Sequence, residues 1–212
     1  MGVILKKQMN SDCLLGLWEI TEDYDTLYSK INLDPTEKAI LDSFLSTDRK
    51  LEWLSVRALL VDITGDPEAK IVYNKERKPF LMDGSYNISI SHSYKLTSVL
   101  MSRNKKVGID LEFMSHKIKK VAFKFINDDE VICRGSKEKK KRHLYIHWCA
   151  KEALYKICDK QNINFKQNLT IEPFELKDEG QIYGWVNNEF LRERFLMDFF
   201  SIDNYIIVWC SK

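Results

Sequence analysis

The first third of the chain shows apolar positions at helical spacing. Asp34 followed by Pro35 is a typical helix start, because Asp can cap a helix and Pro suits its first position. A second helix is predicted to begin near Ser46 or Thr47 and to end before Gly65. The first third is therefore predicted to be helical.

The centre and the tail show the two-residue alternation that is typical of strands. Strands are predicted at 86–91, 96–102, 106–113, 169–176, 181–186 and 204–210, while 190–200 fits either helix or strand. Helices are predicted between them at 116–125 and about 143–160. The order helices, strands, helices, strands indicates an α+β fold in two halves, divided near residue 110.

Composition places the chain among globular proteins. Its 212 residues are 44% apolar and 30% charged, which excludes a disordered chain, a collagen-like repeat and a coiled coil. No apolar run approaches the roughly 20 residues that cross a bilayer, and no signal-peptide pattern follows the basic pair near the N-terminus. Five cysteines without a CxxC pair indicate reduced thiols. We therefore expect a cytoplasmic protein that does not enter a membrane.

One part of the chain is strongly basic. Residues 115–143, here called the basic segment, hold ten Lys or Arg and four Asp or Glu. A segment of +6 within a chain of +2 leaves −4 for the remainder, so a nearly neutral total hides a basic insert. Such a segment is either a docking surface or a solvated loop.

The stretch VGIDLE is the first candidate for chemistry. Alternation on a strand puts Asp110 and Glu112 on one face, with Gly108 on the same face. Adjacent carboxylates repel, and a divalent cation relieves that repulsion. A glycine there lets another group approach the backbone. The alternative is a solvated polar face of a half-buried strand.

The stretch WCAKEALYK is the second candidate. On a helix, Trp148, Glu152 and Lys156 share a face nearly opposite the apolar stripe. They are either an ordinary surface pair beside a tryptophan, or a third carboxylate for a metal with a lysine for a phosphate.

Four further residues are candidates for ligand contacts. Ser91 and His92 end a strand, and because neighbours on a strand point to opposite faces they do not form a catalytic pair. They could bind a phosphate or a base, or simply be a polar strand end. Lys78 is a phosphate contact or a loop lysine, and Arg57 is most simply a solvated helix arginine.

Other common sites are disfavoured. His143 and His147 lie one helical turn apart, but no third zinc ligand follows at a suitable spacing. The chain has no Walker A loop and no GxGxxG motif.

Taken in order, ISHS, VGIDLE and WCAKEALYK, with RKPF ahead of them, resemble the Sfp-type 4′-phosphopantetheinyl transferases. The resemblance implies two similar α+β halves, 1–106 and 107–212, related by a pseudo-twofold axis, with coenzyme A in the cleft between them. It also implies Mg²⁺-dependent transfer of the phosphopantetheine arm to a serine of an apo carrier protein, releasing adenosine 3′,5′-bisphosphate. A monomer that binds neither nucleic acid nor membrane is expected.

The resemblance also implies roles for particular residues. Asp110, Glu112 and Glu152 correspond to metal ligands, and Glu152 also to a candidate base for the carrier serine. Lys156 corresponds to the lysine near the phosphates, and Arg57, Lys78, Ser91 and His92 correspond to coenzyme A contacts. Arg77 departs from the family pattern, which has glycine before Lys-Pro. The family's further basic contacts could be Arg49 or Lys50, and the basic segment suits an acidic carrier protein.

Two rival functions remain open at this stage. A metal-dependent nuclease would also gather acids and a lysine around Mg²⁺, although it leaves ISHS unexplained. The other rival is a catalytically silent module that binds a carrier protein or a nucleic acid.

Overall fold

A computed structural model describes residues 2–115, 117–159 and 163–212. The chain combines helices with several antiparallel sheets, so the prediction of an α+β fold is confirmed. Its internal contacts divide it into two compact units, Met1–Lys105 and Lys106–Lys212. Each unit is described below by itself.

Unit 1 is built on a four-stranded sheet. In chain order its elements are β1 (Val3–Gln8), β2 (Cys13–Glu19), α1 (Tyr24–Tyr28), α2 (Pro35–Asp42), α3 (Thr47–Thr64), β3 (Ile71–Tyr73), β4 (Pro79–Leu81), β5 (Asn87–Ser93) and β6 (Leu96–Ser102). The strand order is β1-β2-β6-β5, and β3 pairs separately with β4. All neighbouring strands are antiparallel.

Local capping explains the helix ends in unit 1. Asp34 caps α2 in a capping box with Glu37, each side chain facing the other residue's backbone N–H. The Ser46 side chain accepts from the N–H of Arg49 at the start of α3. Gly65, with a φ of 70°, ends that helix in the left-handed region. The predicted starts of both helices and the end of the second are confirmed.

The N-terminal hairpin of β1 and β2 was not predicted, and the expectation of a helical first third is wrong for it. Strand β2 reads CLLGLWE and is buried along most of its length. Because both of its faces are apolar, the alternation that marks a half-buried strand is lost.

The core of unit 1 forms between α3 and the central strands. Helix α3 packs on β2 and β6. Its fully buried leucines meet Val99 and Met101 of β6, and Gly16 of β2 lies under Leu59.

Unit 2 is built on a five-stranded sheet covered by one long helix. In chain order its elements are β7 (Val107–Phe113), α4 (Ile118–Val121) with a 3₁₀ turn at Ala122–Lys124, α5 (Lys137–Ile157), β8 (Leu169–Ile171), β9 (Glu179–Asn187), β10 (Arg192–Ile202) and β11 (Tyr205–Ser211). The strand order is β7-β11-β10-β9-β8. Helix α5 packs mainly on β7 and β11.

Parts of unit 2 differ from the expectation in their bounds or were left open by it. Helix α5 begins at Lys137, because Ser136 caps it before the basic run. Strand β8 stops at Ile171, two residues before Pro173, which cannot donate a ladder hydrogen bond. Residues 190–200 belong mostly to the long strand β10. His116 and Lys160, at the ends of two predicted helices, lie outside the described residues.

All five cysteines lie in the described part of the chain, and none forms a disulfide. In residues 2–115, 117–159 and 163–212, no helix is both long and apolar enough to span a membrane.

Candidate functional site

Strand β7 turns its polar face towards helix α5. A Cβ at Gly108 would lie 2.2 Å from the Ala153 carbonyl oxygen and 3.0 Å from Ile157 Cβ, so the backbones approach closely there. Asp110 and Glu112 share this face. Only 4% of Asp110 is exposed, so the interpretation as a solvated polar face is wrong.

Two residues of α5 bind the two carboxylates of β7. Lys156 Nζ lies 2.7 Å from Asp110 Oδ1 and donates to the Ile109 carbonyl at 2.9 Å. Trp148 Nε1 donates to Glu112 Oε1 at 3.4 Å. Trp148 and Lys156 are therefore not simply a surface tryptophan and a surface lysine.

Glu152 lies midway between these two residues on α5. Because Trp148, Glu152 and Lys156 are each four residues apart, they form one row along the helix. Glu152 is half-buried. The row brings the third acid to the helix face that engages both carboxylates of the strand.

Asp110 and Glu112 also affect the pKa of the Cys149 thiol on α5. Cys149 is fully buried, and burial raises the pKa of its thiol. The charges of Asp110 and Glu112 raise that pKa further, while Lys156 opposes them. Both carboxylates therefore act on the same turn of α5.

The donor set suits a hard divalent cation, because Mg²⁺ prefers carboxylate oxygens. Asp110 already holds a cationic group, the Lys156 ammonium. Within the part of the chain that the structure describes, no three Asp, Glu, His or Cys side chains are grouped closely enough to hold a metal ion. The three acids therefore fit Mg²⁺ by the chemistry of their oxygens but are not gathered into a metal-binding set, and the Lys156 ammonium binds Asp110, the most buried of them.

In unit 1, His92 belongs to a polar cluster with two residues of α3. Arg49 Nη1 lies 2.7 Å from His92 Nε2 and donates to Glu52 Oε2 at 2.9 Å. Glu52 Oε2 also lies 3.2 Å from His92 Nδ1. Burial alone would raise the pKa of Glu52, but the hydrogen bonds from His92 and Arg49 outweigh it and lower that pKa.

Ser91 lies on the other face of β5 from His92, as the alternation predicted. It is buried, and its carbonyl accepts from Ser98 Oγ at 3.1 Å. Ser91 and His92 of the ISHS motif therefore lie in different surroundings, one buried and one at the surface.

Lys78 lies in a tight turn that begins at Asn74. The Asn74 side chain accepts from the Lys78 N–H at 2.8 Å. Arg77 has a φ of 61°, in the left-handed region that favours glycine. The departure from the family's glycine therefore leaves the turn in place, at the expense of backbone strain.

Arg57 is not the solvated helix arginine expected from its position in the sequence. Only 3% of it is exposed, and Nε donates to Glu37 Oε1 at 3.1 Å. Its guanidinium lies 3.2 Å from the centre of the Trp53 ring. These contacts tie α2 to α3 and leave little of Arg57 exposed to a ligand.

His143 and His147 lie in an aromatic cluster. His143 stacks on Phe174 with ring centres 4.2 Å apart, and His147 Nδ1 lies 2.9 Å from the His143 carbonyl oxygen. Burial lowers the pKa of His147 to about 3.

Two buried or half-buried residues were not singled out from the sequence. Glu52 follows Arg49 by one helical turn, and that spacing on α3 was the available signal. Lys151 precedes Glu152 and is completely buried, which its charge and neighbours did not reveal.

Comparison with known families matches residues 106–210 to the 4′-phosphopantetheinyl transferase superfamily. The match spans just under half of the chain and includes β7 and α5 with their acids. Members of this superfamily are transferases of phosphopantetheine that generally act on carrier proteins with coenzyme A. Among curated proteins, no match to the chain was found.

Proposed function

We propose that this protein is an Sfp-type 4′-phosphopantetheinyl transferase. It moves the phosphopantetheine arm of coenzyme A to a serine of an apo carrier protein and releases adenosine 3′,5′-bisphosphate. One observation carries the proposal: within the region that matches the superfamily, Asp110 and Glu112 bind Lys156 and Trp148, which lie one helical turn after and before Glu152.

The chemistry breaks one bond of the pyrophosphate. The serine oxygen forms a bond to the phosphorus on the pantetheine side, and the bond from that phosphorus to the bridging oxygen breaks. The electron pair leaves with the nucleotide phosphate, and Glu152 takes the serine proton as general base. Lys156, beside Asp110, adds positive charge next to the phosphates.

Asp110, Glu112 and Glu152 would hold Mg²⁺. When bound, Mg²⁺ supplies charge neutralisation and orientation of the pyrophosphate.

Unit 1 binds the nucleotide end of coenzyme A in this proposal. His92 and Arg49 present half-exposed cationic and imidazole groups, which suit the 3′-phosphate. Lys78, in the turn that begins at Asn74, contacts a phosphate of coenzyme A. Ser91, on β5, is a further proposed contact to coenzyme A. The buried contacts of Arg57 favour a supporting role for it in unit 1.

The basic segment docks the carrier protein. Eight of its ten basic residues are exposed, and Lys137, Lys139 and Lys140 lie at the start of α5. The positive end of the helix dipole disfavours lysines there. Their placement against this local penalty favours a partner that is itself acidic.

The two units are proposed to be the two halves of the Sfp-type fold. Each unit has an antiparallel sheet with one long helix packed on it. Helix α3 packs on β2 and β6 in unit 1, and α5 packs on β7 and β11 in unit 2. A monomer in the cytoplasm is part of the same proposal.

Transfer is tested by incubating the protein with coenzyme A, Mg²⁺ and an apo carrier protein, and then weighing the carrier. We expect a gain of one phosphopantetheine arm, which a carrier with its acceptor serine changed to alanine does not show. Cleavage of plasmid DNA without coenzyme A would instead support a nuclease. Carrier binding with no gain in mass would support a silent binding module.

A further inference from the structure

The cluster of Arg49, Glu52 and His92 is layered. The Glu52 side chain is 18% exposed, whereas those of His92 and Arg49 are 36% and 42% exposed. The carboxylate therefore lies beneath two side chains that reach the surface. An anion arriving from solvent meets Arg49 and His92 before it meets Glu52.

The hydrogen bonds determine which nitrogen of His92 faces such a ligand. Arg49 can only donate, so His92 Nε2 is the acceptor of their 2.7 Å contact. The ring proton is then on Nδ1 and is donated to Glu52 Oε2 at 3.2 Å. Glu52 thereby fixes the tautomer and leaves Nε2 on the side of Arg49.

The carboxylate also holds Arg49 against the ring. Without it, a half-exposed arginine on α3 would gain freedom in water and lose its fixed position beside His92. A plain surface pair between Arg49 and Glu52 would not involve His92 at all. The shared oxygen, Glu52 Oε2, joins both basic residues through one acceptor.

We propose that Glu52 is a positioning residue that preorganises Arg49 and His92 to receive the 3′-phosphate of coenzyme A. The identity of the ligand rests on the proposed function. When the phosphate binds, it replaces the contact between Arg49 and Nε2 and binds to both of these groups.

The test compares the binding of coenzyme A with that of dephospho-coenzyme A, which lacks only the 3′-phosphate. Calorimetry on the full chain gives both dissociation constants and their ratio. Glu52→Gln keeps an acceptor but removes the charge, and we expect it to lower the ratio about tenfold. Binding of dephospho-coenzyme A should stay within about twofold, since charge-assisted bonds to the missing phosphate are the only ones affected.

Two further variants distinguish positioning from a general structural effect. Asp62→Asn makes the same acid-to-amide change on α3, at a carboxylate that pairs with Lys6, and should leave both dissociation constants unchanged. In the His92→Ala background, Glu52→Gln should lower the ratio less than it does in the wild type, because part of the effect of Glu52 is exerted through His92.

Each contrary outcome has a separate meaning. A wild-type protein that binds both ligands equally overturns the assignment of the 3′-phosphate to this cluster, and the role of Glu52 with it. Discrimination in the wild type that survives Glu52→Gln overturns only the role of Glu52. Equal weakening of both ligands by Glu52→Gln also overturns it, because the effect would then be a general loss of structure.

Discussion

Lys151 and Glu130 form an ion pair whose two side chains are fully shielded from water, with Nζ 2.8 Å from Oε2. The lysine also donates to the carbonyls of Phe125 and Phe165. The glutamate accepts the backbone N–H groups of Asn127 and Ile171. One buried pair thus joins α5 to the segment before it and to β8.

Removing one partner of this pair should destabilise the protein strongly. Burial lowers the pKa of Lys151, and Glu130 opposes that shift. Lys151→Met leaves Glu130 buried without its countercharge, which costs about 3–5 kcal/mol in urea unfolding. Lys141→Met, which removes a lysine paired with Glu138 on the same helix, should cost less than about 1 kcal/mol. Equal effects of the two variants would rule out a special role for the buried pair.

Arg77→Gly should stabilise unit 1. A non-glycine residue at a φ of 61° costs about 1–2 kcal/mol, and part of the gain is lost because glycine is more flexible when unfolded. The expected net gain is about 0.5–1 kcal/mol in urea unfolding. Arg77→Ala removes the same side chain but keeps the strain, and should give no such gain. A gain in both variants would assign the effect to the arginine side chain rather than to the backbone.

The buried histidines should make the fold sensitive to acid. Burial lowers the pKa of His147 to about 3, with smaller effects of His143 and Lys151 in the same direction. The unfolded chain takes up that proton near pH 6.5, so between about pH 6.5 and 3 it binds more protons than the folded chain. Stability should therefore fall with falling pH, by about 1.4 kcal/mol per unit for this group alone.

His147→Leu should remove that share of the slope. Free energies of unfolding measured at several pH values between 7.5 and 5 would show it as a shallower line. Parallel lines for wild type and variant would exclude His147 as the source of acid sensitivity.

Docking of the carrier should depend on charge. Lys139→Glu with Lys140→Glu should raise KM for the carrier at least tenfold at low salt and leave KM for coenzyme A unchanged, because exposed charges steer association over about 10 Å. The same change should not lower the melting temperature, since acidic residues suit a helix start. Lys166→Glu with Arg192→Glu makes the same charge change elsewhere on unit 2. If that control raises KM equally, net charge rather than the basic segment explains the effect.

Metal and coenzyme A together should stabilise the wild-type protein. A ligand at 100 times its dissociation constant adds about 2.7 kcal/mol, which is roughly 5–10 °C in melting temperature for a chain of this size. Asp110→Asn or Glu152→Gln should abolish most of the Mg²⁺-dependent part and the transfer activity. Glu112→Gln should be milder, because water can replace one ligand of Mg²⁺.

The matched control for that series is Asp198→Asn, since Asp198 binds Gln181 on β9. It should keep both the Mg²⁺-dependent rise and the activity. Full metal-dependent activity in Asp110→Asn would overturn the metal site and the mechanism built on it.

Elements with strong local signals could be predicted from the sequence. The starts of α2 and α3 follow from Asp34 and Ser46, whose side chains bind the backbone a few residues on. The start of α5 was missed because a run of lysines hides the cap at Ser136. Strand β2 was missed because its neighbours in space, which the sequence does not name, bury both of its faces.

The candidate site was likewise predictable only in part from the sequence. Alternation along β7 and helical spacing along α5 placed Asp110, Glu112 and Glu152 correctly on their own elements. Neither periodicity tells which lysine meets which acid, since that depends on how a strand and a helix pack. Lys156 with Asp110 and Arg57 with Glu37 are contacts of that kind.

Gly108 carries no functional group, yet the acids of β7 reach α5 only because the two backbones nearly touch there. A screen for inactive variants would therefore return position 108 together with Asp110 and Glu152. Gly108→Ala would keep every chemical group and lose activity by separating them. Its signature would be a weakened response to Mg²⁺ with an intact preference for coenzyme A over dephospho-coenzyme A. A glycine between two functional elements is in this sense a spacer, and an inactive variant is not by itself evidence of a reacting side chain.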